Sequence, residues 1–141
     1  MWFFGKKNKE PKILATDVFD QNFNELVAKS EVPVLLDFWA TWCGPCKVMG
    51  PIINELANEN KDKPILIAKI NTEVNPKLSQ HFQIKSIPTI MIIMSNKVVF
   101  KQAGMIPKPN LQELIDNVIA EAAKLKPTEK KKENNDNGGK N

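Results

Sequence analysis

A near-continuous run of apolar residues, VPVLLDFWA at positions 32–40, restricts the fold more than any other feature of this sequence. A strand with so little polar alternation is covered on both faces, which is typical of parallel strands in α/β proteins. A second run of this kind, PILIAKI, lies at 64–70. Apolar residues at helical spacing follow at about 44–60, and shorter helices are predicted at 23–30 and 75–82. Strands that alternate with helices predict an α/β domain.

The later part of the domain predicts an antiparallel hairpin and a closing helix. The apolar runs 89–95 and 97–103 are separated by one residue, Asn96, which can adopt the positive φ that a tight turn requires. This hairpin makes the predicted sheet mixed. The closing helix carries one apolar stripe for core packing, formed by Leu111, Leu114, Ile115, Val118, Ile119 and Ala122.

Two prolines predict local features of the helices. Pro51 lies inside the helix at 44–60, so a kink is expected near Met49 and Gly50. Pro76 follows Asn75, and this pair predicts a helix that begins with an asparagine cap.

Charge is distributed unevenly along the 141 residues, which carry a net charge of +4. Residues 1–12 and residues 124–141 carry +3 each, so the stretch between them carries −2. We expect a basic, aromatic N-terminal extension at 1–12, one folded domain at 13–124 and a disordered Lys/Asn-rich tail at 125–141. All twenty basic residues are lysine, whereas base readout relies on arginine, so specific nucleic-acid binding is not expected.

The sequence also bears on location. No apolar stretch approaches the ~20 residues of a membrane-spanning helix. The first nine residues, MWFFGKKNK, place a short aromatic group before the lysines, which is the wrong order for a secretory signal, so a cytoplasmic protein is expected. A weak membrane-surface contact through these residues is the alternative to an incidental aromatic terminus.

Both cysteines of the chain fall in one motif, WCGPC at 42–46. Cys43 opens the helix after the first long strand, where unpaired N–H groups and a partial positive charge lower the pKa of a thiol. Cys46 lies nearly one turn later on the same side and is expected to be the more buried thiol. The pair predicts a two-step exchange, in which Cys43 attacks a disulfide and Cys46 then attacks Cys43. Gly44 lets a partner backbone approach, and Pro45 sets the local turn.

Asp37 is the one acid in the apolar strand that leads to the cysteines. Burial raises the pKa of a carboxyl group, so we expect Asp37 to accept the proton of Cys46 near neutral pH. Lys69, in the neighbouring strand, is expected to partner Asp37 and to reduce that shift. A satisfied buried carboxyl group without a catalytic role is the alternative interpretation.

Metal binding is a weaker interpretation of the two cysteines. A structural zinc site needs four ligands, and His81 is the only histidine of the chain, so a metal is not expected. A chance pair of core thiols is disfavoured, because Gly-Pro between the cysteines and Trp42 before them are unusual for core packing.

The segment DFWATWCGPCK at 37–47 resembles the active-site segment of the thioredoxin family. The resemblance continues through AKINTEVNP at 68–76, SIPTIMII at 86–93 and AGMIPKPNLQELID at 103–116, and it covers roughly residues 13–124. It implies a thioredoxin fold, an α/β domain with a five-stranded mixed sheet flanked by four helices. The implied activity is protein disulfide reduction through a redox-active Cys43–Cys46 disulfide, without a bound cofactor.

The resemblance also assigns roles outside the motif. Trp39 matches a tryptophan packed beneath the site, and Trp42 matches an exposed one beside the thiols. Pro88 matches a cis-proline that faces the disulfide, and the backbone of Ile87 is expected to pair with an extended client segment. Gly104 matches a glycine at the border of the client groove.

The implied partners are disulfide-containing client proteins and an NADPH-dependent thioredoxin reductase. The chain itself is expected to be a monomer. Gly-Pro between the cysteines, as opposed to Gly-His, points by resemblance to a reductant rather than an oxidase. Asn96 and the two ends of the chain depart from the family pattern. Two alternatives stay open. One is an exchange protein specialised for an exported or membrane-surface location, which only the N-terminal stretch supports, and the other is a binding module without catalysis.

Overall fold

The computed structural model describes residues 11–125, which form one sheet with helices on both faces. The predicted extension at 1–12 and the predicted tail at 125–141 lie almost entirely outside the described residues. In chain order, the helices and strands of the described range are β1 (Thr16–Asp17), α1 (Asn24–Ala28), β2 (Val34–Trp39), α2 (Gly44–Glu59), β3 (Leu66–Asn71), α3 (Pro76–His81), β4 (Thr89–Met94), β5 (Lys97–Ala103) and α4 (Lys108–Ala123).

The strands form one mixed sheet in the order β1-β3-β2-β4-β5. β1, β3 and β2 are parallel, whereas β4 runs antiparallel to β2 and β5 antiparallel to β4. The sheet and its four helices confirm the predicted α/β class and the five-stranded architecture that the family resemblance implied. The parallel strands β2 and β3 are the two apolar runs identified in the sequence.

Residues of β2 alternate between the two faces of the sheet. Leu35 packs in a cluster with α2 and α4, whereas Leu36 and Phe38 pack in a second cluster with α1 and α3. Because side chains two residues apart share a face, Asp37 points to the same side as Leu35, toward α2. The register of β2 therefore places the one acid of this strand on the face that carries the cysteine helix.

The hairpin between β4 and β5 turns through Ser95 and Asn96. Both residues have positive φ, 52° and 60° respectively, which matches a tight hairpin turn. The prediction for Asn96 is confirmed, and Ser95 shares the same backbone conformation.

The start of α3 corrects the predicted asparagine cap. Asn75 stands at the cap position, but its side chain makes no capping hydrogen bond. Instead, the carboxylate of Asp20 accepts hydrogen bonds from the backbone N–H groups of Lys77 at 3.3 Å and Leu78 at 3.0 Å. Asn75 is buried and joins two loops, since it accepts from the backbone N–H of Asp20 and donates to the carbonyl of Asn71, both at 2.9 Å.

Candidate active site

Cys43 and Cys46 form a disulfide at the N-terminus of α2, with their Cα atoms 5.2 Å apart. Cys43 is the cap residue and has an extended backbone, and Gly44 and Pro45 form the first turn. The backbone N–H of Cys46 donates to the sulfur of Cys43 at 3.2 Å. This sulfur therefore occupies the place of an N-cap acceptor, where helix N–H groups stabilise negative charge.

The two cysteines are equally buried, each only 4% exposed. The expectation that Cys46 would be the more buried one is therefore wrong. Cys43 stands at a helix terminus, but it belongs with Cys46 and Ala40 to one buried cluster, against which Trp39 and Ile87 pack.

Asp37 is 1% exposed, and burial raises the pKa of its carboxyl group from 3.8 to about 7. Attraction by Lys69 opposes this rise without cancelling it. The two residues are register partners across β2 and β3. Within the described residues, no group donates a hydrogen bond to Oδ1 of Asp37, so this oxygen is free to accept a proton.

A cavity of about 310 Å³ connects the acid to the cysteines, since Asp37, Cys46 and Lys69 all line it. Trp39 also lines it, and the ammonium group of Lys69 lies 5.9 Å from the centre of the Trp39 ring, within the range of a cation–π contact. The cavity thus brings together three of the four residues to which sequence analysis assigned chemistry, and Cys43 joins them through the disulfide.

The residues expected to meet a client lie outside the cavity that Asp37 lines. The Ile87–Pro88 peptide bond is cis, and the backbone N–H of Gly104, which has a φ of 96°, donates to the carbonyl of Pro88 at 2.8 Å. Trp42 is 71% exposed, and together with Ile87 it lines a second cavity of about 350 Å³. Gly44 and Pro45 are exposed at the surface.

One contact beside the motif was not predicted from the sequence. A carboxylate oxygen of Glu73 accepts hydrogen bonds from the backbone N–H and from the hydroxyl of Thr41, at 2.7 and 2.8 Å. The two residues are 32 positions apart. Neither lies in a pattern that indicates contact, and only the alignment of the ends of β2 and β3 brings them together.

His81 does not approach a metal-binding arrangement. It lies at the end of α3, where its ring stacks edge-on against Phe82 at 4.7 Å between centres. Across residues 11–125, no three side chains of the metal-ligating types His, Cys, Asp and Glu are grouped closely enough to hold an ion. Across the same residues, none of the helices has the length and apolar character to cross a membrane.

Comparison with known proteins places this site in a family. The family model for thioredoxin matches residues 15–117. A thioredoxin of Chlorobaculum thiosulfatiphilum is 44% identical over 100 residues, which are 71% of this chain and 92% of that protein. A thioredoxin of Haemophilus influenzae is 42% identical with the same coverage. An M-type chloroplastic thioredoxin of Chlamydomonas reinhardtii is 39% identical over 72% of each chain.

The matched range contains all five strands and the cysteine pair, and the relatives are matched over most of their own length. The resemblance inferred from four sequence segments is thereby confirmed. The chain belongs to the thioredoxin family, and it is a disulfide oxidoreductase whose redox-active group is its own Cys43–Cys46 disulfide.

Proposed function

We propose that this chain is a general protein disulfide reductase in which Cys43 is the nucleophile and Cys46 the resolving thiol. The observation that carries the assignment is the hydrogen bond of 3.2 Å from the backbone N–H of Cys46 to the sulfur of Cys43. An N–H group aimed at this sulfur stabilises its thiolate, and the thiolate is the form that attacks.

The reaction transfers two electrons from the dithiol to a client disulfide. The Cys43 thiolate attacks one client sulfur, the client S–S bond breaks, and the departing client thiolate takes a proton from solvent. Cys46 then loses its proton and attacks the sulfur of Cys43 in the mixed disulfide. The second client thiolate leaves, and the Cys43–Cys46 disulfide closes.

Asp37 is proposed as the acceptor of the Cys46 proton. Its support is the shared cavity, the unpartnered Oδ1 and a pKa raised by burial to about 7, which suits a base that works near neutral pH. Lys69 is proposed to keep the pKa of Asp37 from rising further, because its charge favours the carboxylate.

Client proteins are proposed to bind at a surface formed by Trp42, Ile87, Pro88 and Gly104. Trp42 supplies exposed apolar surface, and the backbone of Ile87 pairs with an extended client segment. Pro88 and Gly104 form the far wall, where the lack of a side chain on Gly104 leaves room for the client backbone. Exposed Gly44 and Pro45 form the near edge at the first turn of α2.

The finer biological context is also a proposal. We place the activity in the cytoplasm, in a monomer whose functional domain spans 13–124 and which an NADPH-dependent thioredoxin reductase recycles. The weak membrane-surface contact predicted for residues 1–12 falls almost wholly outside the described residues and stays a prediction.

The test is insulin-disulfide reduction with NADPH and a thioredoxin reductase, followed through NADPH oxidation. The full chain should turn over, and Cys43→Ser should abolish turnover. Cys46→Ser should instead accumulate a mixed disulfide with insulin that a small dithiol reverses. Wild-type turnover by Cys46→Ser would contradict the two-thiol mechanism, and biological activity of the double Cys→Ser variant would favour a binding module without catalysis.

A further inference from the structure

The turn at Thr41, which leads into the cysteine motif, is hydrogen-bonded to the carboxylate of Glu73. One oxygen of Glu73, Oε1, accepts from both the backbone N–H and the hydroxyl of Thr41, at 2.7 and 2.8 Å. Two donors of one residue on one oxygen fix both the backbone and the side chain of that residue. Thr41 comes immediately before Trp42 and two residues before Cys43.

Thr41 occupies the middle of a tight turn. The backbone N–H of Cys43 donates to the carbonyl of Ala40 at 3.3 Å, so residues 40–43 close on themselves. Thr41 and Trp42 are the two central residues of this turn. Any rotation of the backbone at Thr41 therefore changes the direction of Trp42 and the position of Cys43 together.

Glu73 is itself held in place by the loop that follows β3. Its backbone N–H donates to the side-chain oxygen of Asn71 at 2.8 Å. The next residue back, Thr72, donates to the carbonyl of Trp39 through its backbone N–H at 2.8 Å and through its hydroxyl at 3.1 Å. Glu73 therefore belongs to a segment that hydrogen bonds hold against the end of β2, next to Thr41.

The contact is strengthened by charge. The two hydrogen bonds from Thr41 hold the pKa of Glu73 below its ordinary value, so the group is a carboxylate at neutral pH. Hydrogen bonds to an ionised acceptor are shorter and stronger than those between neutral groups.

We propose that Glu73 is a positioning residue for disulfide exchange: by holding Thr41, it fixes the turn that presents Trp42 to the client and the sulfur of Cys43 to the client disulfide. Glu73 accepts no proton in the reaction and acts through Thr41. The inference rests on the proposed role of Cys43 as the attacking sulfur. It adds an acid outside the cysteine motif and its cavity to the machinery of the site.

The test compares Glu73→Ala with Glu73→Gln in the full chain. Glutamine keeps an oxygen that can accept both hydrogen bonds, whereas alanine removes the acceptor. Glu73→Ala should lower kcat/KM for insulin reduction about three- to tenfold, because a misplaced reacting group loses rate steeply. It should also shift the reduction potential of the Cys43–Cys46 pair. Glu73→Gln should restore kcat/KM to within about twofold of the wild-type protein.

The matched control is Glu25→Ala, which removes another exposed glutamate from an ion pair with Lys29 on α1. This variant should leave both kcat/KM and the reduction potential unchanged. Amide hydrogen exchange at Thr41 reads the contact directly, and it should accelerate in Glu73→Ala and not in Glu25→Ala.

Three outcomes would overturn the proposal. They are an unchanged kcat/KM and potential in Glu73→Ala, equal losses in Glu73→Ala and Glu73→Gln, and a lower thermal stability of Glu73→Ala with no change in kcat/KM. The proposed function fails by a separate route, because it requires Cys43→Ser to be inactive whatever residue occupies position 73.

Discussion

Asp37 and Lys69 lie directly opposite each other in the parallel pair of strands β2 and β3, and both line the cavity that reaches Cys46. The attraction between them is too weak to offset burial, because the pKa of Asp37 still rises to about 7. The domain therefore carries a carboxyl group that is costly to ionise, beside the cavity that reaches Cys46.

The first prediction concerns stability and pH. The folded protein retains a proton on Asp37 up to pH about 7, whereas the unfolded chain releases it near the ordinary value of 3.8. The folded state binds more protons between these values, so this group makes stability fall as pH rises through that window. The full cost, present above pH about 7, is roughly 4 kcal/mol, since each unit of pKa corresponds to about 1.4 kcal/mol.

Asp37→Asn should remove most of this cost. Urea unfolding of the oxidised variant should show a gain of about 2 kcal/mol over wild type at pH 8, reduced because the buried amide lacks hydrogen-bond partners. The gain should turn into a loss of about 2 kcal/mol toward pH 4, where wild-type Asp37 is neutral in the folded state and the cost of the buried amide remains. A gain that is independent of pH would show that ionisation of Asp37 is not its source.

The second prediction concerns the resolving step. If Asp37 accepts the proton of Cys46, the rate at which a mixed disulfide resolves should rise with pH through about 7, the pKa that burial gives Asp37. Asp37→Asn should slow resolution at pH 7 by about tenfold or more and abolish that inflection. Stopped-flow measurement on a preformed mixed disulfide isolates this step. An unchanged inflection in Asp37→Asn would assign the proton to another acceptor.

The third prediction compares two glycines. Apart from its chain neighbours and, at Gly50, the backbone of its own helix, a Cβ at Gly50 or Gly104 would meet no heavy atom within 4 Å among the described residues. Gly104 has a φ of 96°, which strains any residue with a side chain, whereas Gly50 is helical. Gly104→Ala should lose about 1–2 kcal/mol of unfolding free energy, and Gly50→Ala should gain about 0.5–1 kcal/mol. Equal effects would show that backbone conformation does not separate the two positions.

The fourth prediction concerns Trp42. Because this side chain is 71% exposed, Trp42→Ala should change the unfolding free energy by about 0.5 kcal/mol or less. It should nevertheless lower kcat/KM for insulin several-fold through a higher KM, because we propose that the exposed indole makes apolar contact with a client. Val48→Ala, at a position on α2 that is 53% exposed, is the control and should change neither quantity. A wild-type KM in Trp42→Ala would show that Trp42 does not contribute to client binding.

Sequence periodicity predicted those strands and helices that bury a long apolar pattern. β2, β3, the β4–β5 hairpin and α4 were all recognisable in this way, since burial on one or both faces dictates their composition. β1 was not, because it is two residues long and exists only through its pairing with Ala68 and Lys69. A local pattern assigns the cap of α3 to Asn75, because it cannot reveal Asp20, which lies 57 residues before the Lys77 whose N–H it accepts.

The candidate site shows the same division. The cysteine motif and its buried acid could be predicted, because helix termini and apolar strands impose known effects on thiols and carboxyl groups. The packing of Ile87 against the cysteine cluster and the hydrogen bonds from Thr41 to Glu73 both join distant parts of the chain. Such contacts follow from strand order and register, which no local pattern encodes.

The helix that carries the disulfide, α2, is anchored in the core by residues that follow its first turn. Met49, Ile53 and Leu56 of α2 are completely buried against the sheet and α4, so the body of the helix cannot shift without disrupting the core. We therefore expect any structural change on opening and closing of the S–S bond to be confined to the first turn of α2. The protein should then transfer electrons to a client without a larger rearrangement of α2. No such rearrangement has to be reversed before the next cycle.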